Sequence, residues 1–392
     1  MRCAEAVNLT EMSEWLCLGL VVIALGYGLA AGSLRYPPYA SLRRALTYGL
    51  AIRRRLMRVS SPIGPVATLV IDISSEGDIA AKRQSLIAYI WSEGALPLDR
   101  LPTQVEHNVQ PLRYRTGQNV AVHRFRIEMD FGVDSVVEHH VAASERETLV
   151  IYHEGHDAAR EGGEGPVRHL LNAGYSVLVF SMPLMGVNSR PTVRLARHGS
   201  VQLLDHDFFW LLDAEHPGFS SLRFFVEPVV AGINYGLAKG YRECAMMGIS
   251  GGAWTTTLVA ALDSRIRGSY PVAGSLPFSL RGRGELADYE NHVPPLYAIA
   301  NYPELYVMGA DTPTRTQIQV FNRYDPVGWS GDRGKCYEAQ VQDVLARLGG
   351  GRFQVLVDDS HAGHRISRVA LDRVLIDLCG RREGRSRDAN GL

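Results

Sequence analysis

Residues 244–254 read CAMMGISGGAW, and this stretch decides the fold. Its first half is an apolar run typical of a buried strand, and the residues that follow, as far as Leu262, are typical of a helix. Gly248 and Gly252 flank Ser250 where the two elements meet. In a sharp turn, side chains at these two positions would collide with neighbouring elements, so glycine is expected there. The pattern predicts a strand–turn–helix unit that holds the hydroxyl of Ser250 above the edge of a sheet.

Outward from this unit, short apolar runs alternate with helical patterns between residues 120 and 378. Two β-rich runs separated by a Gly-Val-Asp turn, residues 120–131 and 135–143, predict an antiparallel pair. The later apolar runs predict strands that pair in parallel with helices on both faces. The fold class is therefore α/β, with a mostly parallel sheet and an antiparallel N-terminal edge. The later predicted strands are residues 148–152, 175–180, 244–247, 317–321 and 353–357, and the predicted helices are residues 80–91, 166–173, 222–239, 336–348 and 367–378.

Loops at the carboxyl ends of such strands form the active-site crevice, so the residues that follow each strand are the candidates for chemistry. A serine nucleophile needs an imidazole base, which in turn needs a carboxylate to orient it. Asp325 follows a predicted strand and is the preferred acid, with Asp332 as the alternative. His364 stands just before the last predicted helix and is the preferred base, with His361 as the alternate. A glycine-rich turn in which Ser250 is only structural is the competing interpretation.

A tetrahedral oxyanion also needs two N–H donors. The amide of Gly251 lies at the start of a predicted helix, where amides have no partner within the helix. The second donor is expected in the loop after the strand at residues 148–152, which reads His-Glu-Gly-His. The amide of Gly155 or that of His156 is the candidate.

These motifs resemble the α/β-hydrolase superfamily in their order and spacing: GISGG after a strand, Asp325 after a later strand, and DDSHAGH at residues 358–364. The resemblance covers residues 120–378. It implies hydrolysis of a carboxylic ester, thioester or amide through an acyl-enzyme on Ser250, with no cofactor and no metal. The loop at residues 153–156 differs from the His-Gly-Gly-Gly of lipase-like esterases, and the substrate is expected to be a small-molecule or lipid-like ester.

The composition excludes several other classes of protein. Lys and Arg together number 41, as do Asp and Glu, in 392 residues, so the formal net charge is zero. This charge gives no indication of a nucleic-acid-binding protein, which would show a strongly basic domain. The five cysteines include no Cys-x-x-Cys pair, so neither a zinc site nor a thioredoxin-like site is expected. A disulfide framework is not expected in a chain of this length either.

The N-terminus predicts a membrane anchor. Residues 15–34, WLCLGLVVIALGYGLAAGSL, carry no charge and number about the 20 needed to cross a bilayer. The residues before them are a poor match to a signal peptide, so an uncleaved anchor is favoured. Arginines cluster after the segment, which places the catalytic domain in the cytoplasm, with export as the alternative. Residues 40–58 predict a basic amphipathic helix on an anionic lipid surface, or a surface helix packed on the enzyme.

Four parts are predicted: an anchor with its basic segment at residues 1–60, an extension that packs on the catalytic domain at residues 61–118, the catalytic domain at residues 119–380, and a disordered tail at residues 381–392. Within the catalytic domain, residues 182–221 and 276–314 are candidate caps over the site.

Two rival functions remain open. One is a metal-dependent hydrolase that uses the two His-x-x-His pairs at residues 153–156 and 361–364. The other is a membrane-tethered binding protein of the same fold without catalytic activity. The sequence leaves the oligomeric state open.

Overall fold

The computed structural model describes residues 69–117, 120–281 and 288–389. The predicted anchor and basic segment, residues 1–60, lie outside these residues. Within the described part of the chain, no helix combines the length and the apolar character that crossing a bilayer requires.

The architecture is one nine-stranded mixed sheet with helices on its faces, in the strand order β1-β2-β3-β5-β4-β8-β9-β10-β11. The strands are β1 (Val105–Glu106), β2 (Ala121–Glu128), β3 (Asp134–Val141), β4 (Thr148–His153), β5 (Val177–Phe180), β6 (Thr192–Leu195), β7 (Gly199–Gln202), β8 (Glu243–Ile249), β9 (Ile266–Val272), β10 (Thr316–Asn322) and β11 (Arg352–Asp358). The helices are α1 (Glu76–Ile90), α2 (Ala158–Glu161), α3 (Glu164–Asn172), α4 (Phe209–Glu215), α5 (Arg223–Ala238), α6 (Gly251–Leu262), α7 (Pro294–Ile299), α8 (Tyr302–Met308), α9 (Lys335–Arg347) and α10 (Arg368–Ala389).

The predicted antiparallel edge is present: β2 pairs with β3 in antiparallel register, and β3 continues antiparallel onto β5. From β5 onward every pairing is parallel, through β4, β8, β9, β10 and β11. Strands β6 and β7 form a separate hairpin within the segment predicted as the first cap. The mixed, mostly parallel sheet predicted from the sequence is therefore confirmed.

The apolar runs of the central strands supply two hydrophobic layers, because successive side chains of a strand point to opposite faces. Leu149 and Ile151 of β4 pack into the layer that also contains residues of α1, α5, α6, α8 and α9. Val150 and Tyr152 of the same strand pack into the opposite layer, with residues of α3 and α10. Both faces of the sheet are thus covered, which explains why these strands are almost continuously apolar.

Strand β9 was not predicted. Its sequence, IRGSYPV, mixes Arg, Gly, Ser and Pro with only a few apolar residues, so no strand period is visible. It is nevertheless paired on both sides, by β8 and β10, and mostly buried. Its place in the sheet is decided by the neighbouring strands and not by its own propensity.

Residues 69–117 pack against the sheet-bearing part of the chain through side-chain contacts. The guanidinium of Arg83 donates to the carbonyl of Ala261 at the end of α6, at 2.8 Å. The indole of Trp91 donates to Glu227 of α5, at 3.0 Å. At the other end of the chain, α10 continues through residues 381–389, which the sequence assigned to a tail.

Candidate active site

Ser250 occupies a sharp turn between β8 and α6. Its backbone has φ 57° and ψ −123°, a combination that L-amino acids rarely adopt and that costs about 1–3 kcal/mol. The surrounding sheet holds this conformation in place, because the amide of Ser250 donates to the carbonyl of Val272 in β9 at 3.0 Å. The predicted strand–turn–helix unit is thus present, and the side chain of Ser250 is partly exposed.

Glycine is required at two positions around this turn because backbone atoms of nearby segments leave no room for a Cβ there. A Cβ atom at Gly248 would lie 2.2 Å from the carbonyl oxygen of Gly252. One at Gly252 would lie 2.3 Å from the carbonyl oxygen of His153 and 2.5 Å from that of Glu154. The obstacles are backbone atoms, which have no rotamers with which to move away. The two glycines that the sequence singled out therefore let the β4 loop and the start of α6 lie in contact.

Replacing Gly252 by alanine is expected to lower the free energy of unfolding by at least about 2 kcal/mol, because the added methyl group overpacks a site bounded by backbone. Gly165, in the first turn of α3, is a matched control: a Cβ there meets no atom within 4 Å. Gly165→Ala should leave stability unchanged or raise it by about 0.5–1 kcal/mol. Chemical denaturation of both variants measures the difference, and equal stability would contradict the close approach.

An imidazole–carboxylate pair lies at the ends of the neighbouring strands β10 and β11. His364 Nδ1 lies 2.7 Å from Asp325 Oδ2, and both side chains are buried. Asp325 also accepts hydrogen bonds from the amide of Val327 at 2.8 Å and from the side-chain amide of Asn322 at 3.1 Å. A carboxylate bound in this way can only accept, so Nδ1 of His364 carries the proton and Nε2 is left as the basic nitrogen.

The alternates have other partners. His361 Nε2 lies 3.4 Å from Asp358 Oδ2, and its Nδ1 accepts from the amide of Gly363 at 3.1 Å. Burial would raise the pKa of Asp358, but hydrogen bonds from His361 and nearby serines hold it below its usual value. Asp332, the alternative acid, is partly exposed and forms an ion pair with Arg323 at 3.6 Å. Of the predicted acids and bases, the structure brings together His364 and Asp325.

The loop after β4 lies directly against the serine. A Cβ at Gly155 would lie 2.6 Å from the Cβ of Ser250. However, the amide of Gly155 already donates to Glu161 Oε2 at 2.8 Å. Because the amide of Gly155 already has a partner, the amide of His156 is the better candidate for the second oxyanion donor. The amide of Gly251 begins α6 and so has no partner within that helix.

Glu161, at the end of the short helix α2, is a residue of this site that the sequence analysis missed. Its side chain is buried, and it accepts from the amides of Gly155 and Asp157, at 2.8 and 3.3 Å. Burial raises the pKa of the Glu161 carboxyl, while the imidazole of His364 and the two amides oppose that shift. Glu161 thus shapes the loop beside the serine. A lone glutamate in a short polar helix has no sequence signal for this role.

A second cluster joins the same loop to the two predicted caps. His156 Nε2 lies 3.2 Å from both His206 Nδ1 and Glu290 Oε1, and His206 Nδ1 lies 3.0 Å from Glu290 Oε2. Burial would lower the pKa of His156, but the Glu290 carboxylate outweighs it and raises that pKa to about 9. The segments carrying His206 and Glu290 also contact each other through the rings of Trp210 and Tyr289, 4.7 Å apart.

The two His-x-x-His pairs do not act as pairs. His153 Nδ1 bonds to the carbonyl of Glu154 at 2.8 Å, and its ring stacks on Phe180, whereas His156 faces His206. In the second pair, His361 faces Asp358 and His364 faces Asp325. The metal-dependent mechanism built on these pairs therefore has no support in the described part of the chain.

Of the comparisons with known proteins, the one with solved structures supports the fold. No protein-family model matches the sequence, and no curated protein matches it. Among solved structures, the chain is similar to an acetyl xylan esterase from Paenibacillus sp. R4, with 13% identity and a TM-score of 0.52 over 80% of this chain and 98% of that one. It is also similar to Acetyl Xylan Esterase 1 from Thermoanaerobacterium sp. JW/SL YS485, with 11% identity and a TM-score of 0.50 over 79% of this chain and 95% of that one. Likeness at this level concerns the fold, and with the sheet order and the turn at Ser250 it shows that the chain has the α/β-hydrolase fold.

Proposed function

We propose that this protein is a serine hydrolase that cleaves a carboxylic ester, or a thioester or amide, through an acyl-enzyme on Ser250. The observation that carries the proposal is the buried pair of His364 and Asp325, 2.7 Å apart. The loops that hold this pair follow the carboxyl ends of parallel strands, on the same side of the sheet as the strained turn of Ser250. Strained backbone conformations cluster at functional sites. The strain at Ser250 supports the proposal because a turn of this kind exposes the hydroxyl of a nucleophilic serine.

In the proposed reaction, Ser250 Oγ attacks the carbonyl carbon of the ester while His364 Nε2 takes its proton. Asp325 keeps the imidazole in the required tautomer and stabilises its protonated form. The negative charge that develops on the carbonyl oxygen is bound by the amides of Gly251 and His156. Each such donor contributes about 3 kcal/mol to the lowering of the barrier.

The same imidazole completes acylation and then serves deacylation. The protonated His364 delivers its proton to the leaving alcohol, and the acyl group stays on Ser250. In deacylation, water loses a proton to His364 while its oxygen attacks the acyl carbon. His364 then returns this proton to Oγ of Ser250 as the bond between Oγ and the acyl carbon breaks, which releases the carboxylic acid and restores the hydroxyl. Glu161 supports both halves by holding the Gly155–His156 loop against the serine.

A fluorophosphonate probe tests the proposal directly, because an activated serine displaces its fluoride and becomes covalently labelled. The full-length protein is expected to be labelled stoichiometrically and to hydrolyse simple aryl esters. A panel of acyl-chain lengths, from acetyl upward, then defines the acyl group, for which the acetyl esters of the two similar enzymes are the natural starting point. A folded protein that stays unlabelled would instead be a non-catalytic protein of this fold.

The proposal includes a membrane anchor at residues 15–34, which the uncharged sequence of this segment supports. The arginines that follow the segment support a hydrolase domain in the cytoplasm. The full-length protein should stay with membranes after an alkaline carbonate wash. Ile23→Arg combined with Leu25→Arg should release it, since each central charge costs about 2.5–3.5 kcal/mol on insertion. An unaltered protein found wholly in the soluble fraction would contradict the anchor.

A further inference from the structure

The side chains of His156, His206 and Glu290 have no role in the proposed serine mechanism, in which His156 acts through its backbone amide. We propose that these three side chains bind one divalent transition-metal ion of the zinc class. No metal is expected from the sequence, and the sequence gives no sign of this cluster because its three residues lie far apart in the chain and share no spacing signature. Folding brings them together from the loop after β4, the segment before α4 and the segment before α7.

The spacing of the donor atoms fits a tetrahedral ion. Zinc binds histidine nitrogen and carboxylate oxygen at about 2.0–2.2 Å, so neighbouring ligand atoms of a tetrahedral site lie about 3.3 Å apart. In the cluster the two imidazole nitrogens are 3.2 Å apart. His156 Nε2 lies 3.2 Å from Oε1 of Glu290, and His206 Nδ1 lies 3.0 Å from Oε2 of the same carboxylate. With one oxygen of Glu290 as the ligand, the three donor atoms lie within 4.8 Å of one another. Two histidines and one glutamate are a ligand set used in zinc sites that keep an open position.

The tautomer of His206 is suited to a ligand. Its Nε2 lies 2.9 Å from the carbonyl oxygen of Pro183, and because a carbonyl only accepts, Nε2 carries the proton. The nitrogen that faces the cluster is then Nδ1. Metal-binding histidines commonly donate their other ring N–H to a backbone carbonyl in this way, which fixes the ring and its lone pair.

The ligands are also held rigidly. The ring of His206 stacks on Phe209, with centroids 5.5 Å apart, and meets Phe225 edge-on. Glu290 is fully buried, and a buried carboxylate requires positive charge beside it. His156 is the more exposed member, and Asp288 Oδ2 lies 3.3 Å from its Nε2. Water or Asp288 can therefore complete the coordination from the solvent side.

Such an ion would tie the two candidate caps to the loop beside the serine. A Cβ at Gly251 would lie 2.7 Å from His156 Nδ1, so the ligand ring rests against the first residue of α6. The ion would therefore fix the position of His156, whose amide is the favoured second oxyanion donor. Binding itself does not depend on the proposed hydrolase activity, because no ligand belongs to the serine, histidine and aspartate of the reaction.

The test is a titration of the full-length protein after chelator treatment and dialysis. Isothermal calorimetry with Zn²⁺ is expected to give one ion per chain. Co²⁺ is expected to give the intense visible absorption of a tetrahedral site with nitrogen and oxygen ligands. Glu290→Gln keeps the shape of the side chain but removes its charge, and should weaken Zn²⁺ binding more than about 100-fold, beyond the loss seen for supporting residues.

His198→Ala is the matched control, because His198 forms a histidine–glutamate contact with Glu215 in the same segment but is exposed and outside the cluster. It should bind Zn²⁺ like the unaltered protein, as should Ser250→Ala, which separates this inference from the proposed function. Absence of stoichiometric binding by the unaltered protein would overturn the site, as would unchanged affinity in Glu290→Gln. Should Glu290→Gln fail to fold, the stoichiometry and the Co²⁺ spectrum of the unaltered protein decide the question.

Discussion

Replacing Ser250 by alanine is expected to abolish fluorophosphonate labelling and to lower kcat/KM for an ester by a factor of about 10³ to 10⁶. The loss is large because the proposed acyl-enzyme forms on this one oxygen. The residual rate would come from substrate binding and from the proposed oxyanion donors, which the substitution leaves in place. Labelling followed by mass spectrometry, together with steady-state kinetics, measures both effects.

The fold of this variant serves as its control. Alanine retains the Cβ that makes the backbone conformation of Ser250 unfavourable, so neither new strain nor a large cavity arises. The thermal midpoint should therefore stay close to that of the unaltered protein. Equal labelling of Ser250→Ala would show that another residue is the nucleophile and would end the proposed mechanism.

Replacing His364 by alanine is expected to lower kcat/KM by a factor of about 10³ or more, since loss of the base costs nearly as much as loss of the nucleophile. His361→Ala is the matched comparison, because both histidines are buried and both face an aspartate. Its activity should fall by less than about tenfold, since its partner is Asp358 and not the acid at the end of β10. Parallel kinetics on the two variants measure the contrast.

Stability separates a chemical role from a structural one in this pair. His361 accepts an N–H from its own loop and contacts Asp358, so its removal is expected to lower the free energy of unfolding by about 1–3 kcal/mol. A loss of activity confined to His361→Ala, with His364→Ala still active, would contradict the assignment of the base.

Much of the sheet could be predicted because the sequence of most of its strands carries a recognisable local pattern. The antiparallel pair β2 and β3 was visible as alternating β-rich runs around a turn, and β4 and β11 as continuous apolar runs. Strand β9 was missed because Arg267, Gly268 and Pro271 interrupt any such period. Its burial comes from the strands on either side, which no local window of sequence contains.

The sequence by itself determined the features that depend on neighbouring residues. One is the turn at Ser250, where glycines leave room for nearby backbone atoms. The other is the order in which Ser250, Asp325 and His364 follow their strands. Only the tertiary structure decided that His364 faces Asp325 and that the amide of Gly155 donates to Glu161. It also decided that three distant side chains, those of His156, His206 and Glu290, form one cluster. The physical reason is range. Backbone sterics and side-chain periodicity act between residues a few positions apart, whereas hydrogen-bond partners far apart in the chain are chosen by how the sheet and its insertions pack.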